Sequence, residues 1–264
     1  MRKYLAFLRV NLQNAVAYRG PMLIWLASNI VTLTIFVSLW LSSTMIGADI
    51  AGYSKNQLVT YYLIGLLLQW VVGWYPFWIK DDIKNGDIAG NTISKPINFY
   101  WKVFFIDLGW HLVSMWVGIL AVLIMGYLLF PYLVLSLSLI QIILAILAII
   151  IAIFVTFTMC ICLGLLAFWF TQISAIEGLF WAGRSIFGGE GIPIALFSVN
   201  ILPFIKLLPF RYMYSFPLEI LMGKLQTPDL IWGFIMGLVW IGILVLLYMI
   251  MWSEGLKKYN SAGI

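Results

Sequence analysis

Histidine occurs once in this chain, at His111, and cysteine twice, at Cys160 and Cys162. Three such residues cannot assemble the usual His-rich or Cys-rich metal or haem centres. The cysteines stand two positions apart in an apolar helical run, about 200° apart around the axis, and read as packing residues rather than as a metal or disulfide pair. Charge is scarcer still: Lys, Arg, Asp and Glu make up 9% of the 264 residues, against roughly 25% in an ordinary soluble domain. The 69 positions 108–176 carry none of them. As one helix that run would extend ~100 Å, about three times the hydrocarbon thickness, so it turns back at least once in lipid. No Gly-x-Ser-x-Gly or His-Glu-x-x-His pattern is present, which argues against an intramembrane hydrolase. The one Gly-Lys pair, Gly223-Lys224, precedes Leu225 and lacks the glycine five positions earlier, so the chain has no phosphate-binding P-loop.

What remains is 64% apolar and reads as an all-α polytopic membrane protein, a single transmembrane domain over 1–264. Hydrophobic spans are expected at 22–46, 58–79, 108–130, from 133 or 137 to 168, at 176–198 and at 230–252, with Pro131-Tyr132 turning the long uncharged run. Six transmembrane helices place both termini on one side. Arg2, Lys3, Arg9, Arg19, Lys80, Lys84, Lys95, Lys102, Lys257 and Lys258 fall on that side, and Lys55, Lys206, Arg211 and Lys224 on the other. This imbalance makes both termini cytoplasmic and accounts for the net charge of +5 as topology, with no need of nucleic acid. A basic leader and a long first apolar run argue against a cleaved signal peptide.

Three segments depart from the lipid pattern. In the leader, 1–20, Leu5, Leu8, Leu12, Ala15 and Val16 recur at helical spacing between polar residues, as in a helix lying in the cytoplasmic interface; an extension of the first span is the alternative. Gly20-Pro21 favours a bend. The loop 80–107 holds eight of the 25 charges. Its start can form a short charged helix, and Lys95-Pro96-Ile97 stops a helix and keeps the chain extended. Such a compact charged element suits a docking surface, and a solvated connector is equally compatible with the residues. Between 188 and 229, Pro193, Pro203, Pro209, Pro217 and Pro228 forbid one continuous helix, yet the segment stays apolar. It reads as a re-entrant pair of short helices with Lys206, Arg211, Glu219 and Lys224 towards the external surface, or else as an Ω-type loop.

Arg184 lies two helical turns from Glu177 on the same face of the fifth span. It either lines a substrate path or pairs structurally, with Glu177 or with a carbonyl. His111, near the cytoplasmic entrance of the third span, reads as an interfacial hydrogen-bonding residue rather than a proton relay.

In combination these features resemble the membrane subunit of a type-2 ABC exporter, in the bacterial subgroup that includes daunorubicin- and bacteriocin-type resistance permeases. The likeness rests on Asp82-Ile83-Lys84-Asn85-Gly86-Asp87-Ile88 followed by Ser94-Lys95-Pro96-Ile97, and on Ala167-Phe168-Trp169-Phe170-Thr171. It also rests on the tract with Gly188-Gly189, Pro193, Pro209-Phe210, Tyr212, Pro217 and Gly223. Thr92-Ile93-Ser94 departs from the leucine more often found before Lys-Pro in that family. The resemblance implies a coupling helix among Asp81, Asp82, Ile83, Lys84, Gly86, Asp87, Lys95 and Pro96. It implies external re-entrant helices before the last span, and a second permease subunit, identical or paralogous. It also implies a separate cytoplasmic ABC ATPase dimer that binds the ATP and Mg, none being bound by this chain. Export of an amphipathic substrate across a bacterial plasma membrane follows as the expected function. An ion-coupled secondary transporter would carry intramembrane acids, which the spans before Glu177 lack at mid-depth. A membrane scaffold that recruits a cytosolic partner through the loop 80–107 is the other rival.

Overall fold

The computed structural model describes residues 2–17, 20–42 and 52–259, and every regular element among them is helical. Arg19, one of the ten basic residues assigned to the cytoplasmic side, and the part of the first expected span beyond Ser42 lie outside them. Four helices are long and apolar enough to cross a membrane: α2 (Gly20–Ser42), α5 (Phe99–Leu128), α6 (Leu139–Leu165, continued by a tight turn to Phe168) and α11 (Thr227–Lys258). Each carries exposed apolar side chains such as Ile24, Trp116, Leu139 and Leu246, the surface that lipid covers.

Local chemistry fixes where these helices begin. Asn98 caps α5 by accepting from the Trp101 amide at 3.2 Å, so the helix starts at Phe99, nine residues before the expected start at 108. Lys102 and Asp107 therefore belong to α5 and not to a loop. A reciprocal Ser138–Gln141 capping box starts α6, and Pro228 sits in the first turn of α11.

The expected second and fifth spans are not continuous helices of the expected length. Helix α3 (Lys55–Val72) ends seven residues before 79, because Gly73 caps it and Pro76, lacking an amide hydrogen, keeps Tyr75 out of the helical region. It carries Gln57, Thr60, Tyr61, Tyr62 and Gln69, is too polar to count among the four apolar helices, and is the most enclosed of the long helices. Helix α7 (Ser174–Phe187) has 14 residues, about 21 Å, and stops at Gly188 rather than running to 198. After it come three short helices, where a pair was expected: α8 (Leu202–Leu207), α9 (Pro209–Met213) and α10 (Ser215–Leu221). Pro203 and Pro209 occupy the first turns of α8 and α9, where their missing amide hydrogens cost nothing.

Hydrogen bonds define two ends of the molecule. At one, Lys3 donates to the Pro96 carbonyl, Tyr4 Oη accepts from the Asn98 amide, and Tyr259 Oη donates to the Gly86 carbonyl at 2.7 Å. At the other, Lys224 Nζ donates to the Gly52 carbonyl at 2.6 Å and Thr60 Oγ1 accepts from the Val134 amide at 2.9 Å. Both described termini and the loop after α3 thus share an end, opposite the short helices.

Helix α1 (Arg2–Ala17) lies along the first turns of α5, stacking Tyr4 on Phe105 at 5.6 Å. Gly109 permits that approach: a Cβ there would come 2.9 Å from Asn11 Cβ and 3.0 Å from the Leu12 amide nitrogen and Leu8 carbonyl oxygen. Gly109→Leu is expected to detach α1, raising tryptic cleavage at Arg9 in detergent and costing about 1–3 kcal/mol as overpacking. Cleavage at the wild-type rate would show that α1 does not depend on this contact.

Candidate functional site

At the end shared by the described termini, α4 (Ile79–Lys84) is a six-residue helix held by buried Ile79 and Ile83. Ile88 buries beside them, and a π-helical turn follows at Ala89–Ile93. Alternation between buried isoleucines and polar neighbours leaves Asp81 and Asp87 exposed, with Asp82 and Lys84 half-buried. Gly86 turns the chain at φ +81°, a conformation that a side chain would strain, and its carbonyl is fixed by Tyr259. Lys95 and Pro96 are exposed on the same loop, and Lys102 Nζ donates to Thr92 Oγ1 at 2.7 Å beneath it. Burial raises the Asp82 carboxyl above its usual range; nearby Lys102 opposes the shift, and Asp87 and Asp81 add to it. Short, bearing three carboxylates and held by three buried isoleucines, this element packs against the fold as an acidic knuckle.

Between α3 and α4, residues 73–78 form a non-helical strap whose side chains alternate between two packing surfaces. Trp74 packs against Phe104, His111 and Phe157, with ring centroids 4.9, 4.8 and 6.0 Å away. Tyr75 and Phe77 face α7 instead. Tyr75 meets Trp181 at 4.7 Å and lies beneath the Arg184 guanidinium, whose Cζ is 4.9 Å from the ring centroid. Phe77 meets Phe180 at 6.0 Å and Trp181 at 5.9 Å. Just beyond the strap, Lys80 Nζ donates to both carboxylate oxygens of Glu177 at 2.7 and 2.8 Å. The strap therefore runs antiparallel to α7 and touches residues 177, 180, 181 and 184, which share one helical face.

The expected Arg184–Glu177 pair is not formed, since Lys80 occupies Glu177. Arg184 is 0% exposed and its Nη2 lies 3.3 Å from Glu190 Oε1. None of its three side-chain nitrogens has a hydrogen-bond partner among the described residues, and neither does Glu190 Oε1. Glu190 and Ser185 line a cleft of about 340 Å³ between α2, α3 and the segment after α7. Asn29 and Thr32 of α2, and Tyr62 and Gln69 of α3, are among its other polar lining residues. A smaller recess of about 90 Å³ shares Asn29 and Gln69 with the cleft and reaches His111 and Ser114. Polar residues at this depth mark cavities or paths in membrane proteins. Asn29, Thr32 and Gln69 were legible as polar positions inside apolar spans, but nothing in their spacing joins them to Glu190.

His111 is buried in the fourth turn of α5 and is a hydrogen-bonding residue, its Nε2 lying 2.9 Å from the Val71 carbonyl. The break after Val72 exposes that carbonyl, and His111 and Trp74 Nε1, at 3.0 Å, both address it.

At the opposite end, Gly188 accepts from the Ser215 amide at 3.0 Å and Gly189 from Tyr61 Oη at 2.6 Å, fastening the exit of α7 to α10 and α3. Phe210 packs under Gly183, Tyr212 Oη donates to the Lys206 carbonyl, Pro217 is buried in α10, and Gly223 turns the chain towards α11. Arg211 and Glu219, expected at the external surface, are 0% and 6% exposed and bond each other at 2.8 Å, because the turn between α9 and α10 folds both inward. Lys206 pairs with Asp229 at 2.7 Å, and Lys224 reaches Gln57 at 2.9 Å. Cys160 and Cys162 are buried and free.

A model of the family described as ABC-2 family transporter protein matches residues 24–263, beginning inside α2. No curated protein matches the sequence.

Removing one partner of a buried ion pair strands the other. Arg211→Met should therefore cost about 3–5 kcal/mol, and Arg211→Met combined with Glu219→Leu should recover most of it. Thermal unfolding in detergent measures both. Equal losses in the single and double variants would mean that packing, not charge, sets the contribution of Arg211.

Proposed function

The chain belongs to the ABC-2 family of transporter proteins, and from that premise we propose that it is the permease of an exporter driven by a separate ATPase. The reading places six crossings in the plasma membrane, with α3 and α7 crossing inside the protein envelope and the short helices α8–α10 re-entering from outside. Both termini and α4 face the cytoplasm. The basic residues at that end, Lys3, Lys80, Lys84, Lys95, Lys257 and Lys258 among them, agree with the charge bias of cytoplasmic loops.

The observation that carries the proposal is the acidic knuckle at α4 and the turn after it: exposed Asp81 and Asp87 on a segment pinned by buried Ile79, Ile83 and Ile88. An anchored charged helix can transmit a push, whereas a solvated connector absorbs it. The partner is a cytoplasmic ATPase dimer, which holds ATP and Mg and closes on nucleotide. A second permease, identical or paralogous, completes the path. An amphipathic substrate passes along the cleft bearing Asn29, Gln69, Ser185 and Glu190, which offers hydrogen-bonding groups beside apolar walls.

Asp81→Lys with Asp87→Lys inverts the knuckle's charge while leaving its buried anchors untouched. The doubly substituted permease should remain monodisperse yet lose the ATPase on co-purification. Retention of the ATPase at wild-type stoichiometry would remove α4 from the docking surface.

A further inference from the structure

The strap 73–78 joins the docking helix α4 to a wall of the cleft, and no feature of the docking surface itself requires such a connection. Its contacts are regularly placed. Tyr75 meets Arg184, Phe77 meets Phe180 and Trp181, and Lys80 meets Glu177, so three successive points on the chain grip two turns of one helix. The opposite face of the strap is buried as well, with Trp74 and Pro76 against α5 and α6, and it cannot slide independently of them.

Glu177 lies in the first turn of α7, where the helix dipole favours a carboxylate. Its bidentate bond to Lys80 is three-quarters or more shielded on both sides, with side-chain exposures of 25% for Lys80 and 14% for Glu177. At the far end of the same helix, Ser185 and, three residues past Phe187, Glu190 line the cleft. At 14 residues and with its exit fastened to α3 and α10, α7 is too short to dissipate a displacement by bending.

We propose that Lys80 and Glu177 are positioning residues that lock α4 to α7, so that motion of the ATPase-bound knuckle moves the α7 wall of the cleft. The inference rests on the permease reading above and adds to it the route by which the motor reaches the path. The aromatic contacts of Tyr75 and Phe77 set the register of strap and helix. The ion pair makes the joint stiff in both directions, since it resists being pulled as well as pushed.

The test uses the full permease with its ATPase in nanodiscs and needs no identified substrate. A Ser185→Cys reporter is labelled with a water-soluble maleimide, with and without ATP plus vanadate, leaving buried Cys160 and Cys162 in place. The parent complex should show an ATP-dependent change in labelling rate. Glu177→Gln should abolish that change while the ATPase still co-purifies, Phe77→Ala should weaken it, and Lys80→Glu with Glu177→Lys should restore it. A wild-type response in Glu177→Gln, or failure of the charge-swapped pair to rescue, overturns the joint. Absence of any ATP response in the parent complex, or of the ATPase itself, overturns the permease reading and the inference with it.

Discussion

A helix interrupted inside the fold exposes carbonyls that apolar surroundings cannot solvate, and the folded chain is organised around supplying donors to them. Phenols, indoles and the lone imidazole meet that need. Val71, left open by the break after Val72, is approached by His111 and Trp74; Gly189 and Gly191 by Tyr61 and Tyr62; Lys206 and Leu207 by Tyr212 and Trp240. Each donor sits on an apolar ring that also fills the surrounding core, so one side chain satisfies packing and polarity together. The tyrosines of α3 explain its enclosure, because a helix that supplies donors to the exit of α7 has to be surrounded by it.

The same breaks shape the α4 knuckle and the end of α7 at the cleft. Without Gly73 and Pro76 there would be one helix from 55 to 84, and α4 would be its continuation instead of a separate knuckle at an angle set by buried isoleucines. Without the stop at Gly188, α7 would not end at the level of the cleft, and Glu190 could not turn back towards Arg184. Charge is placed accordingly. Two buried arginines lie at joints between short elements, Arg211 with Glu219 across α9 and α10 and Arg184 beside Glu190 across the end of α7.

Long apolar helices were legible in the sequence because length and composition determine them without reference to neighbours: α2, α5, α6 and α11 all lie where hydropathy puts them, displaced at their ends by caps such as Asn98 and Ser138. The end of α3 was also written locally, in Gly73 and Pro76, but was masked by the apolar Trp74, Tyr75, Phe77 and Trp78 around it. Partners were not legible. Seven-residue spacing correctly puts Glu177 and Arg184 on one face of α7, yet spacing within a helix says nothing about what lies opposite, and Lys80 arrives there from 97 positions away. Arg211 and Glu219 were misplaced for the converse reason: polarity argued for the surface, while the fold provided each with the other.

The partnerships of α3 also impose an order on synthesis. Tyr61 and Tyr62 bond to carbonyls 128 and 129 positions later, Lys3 to one 93 positions later, and Gly86 waits for Tyr259, 173 positions on. As the ribosome delivers the chain, α3 is made long before the carbonyls its tyrosines bond, and α1 has no seat until the start of α5 has emerged. The contacts of the early helices are thus completed only by later ones, so a chain cut short before Gly189 would leave the phenols of α3 without the carbonyls they bond.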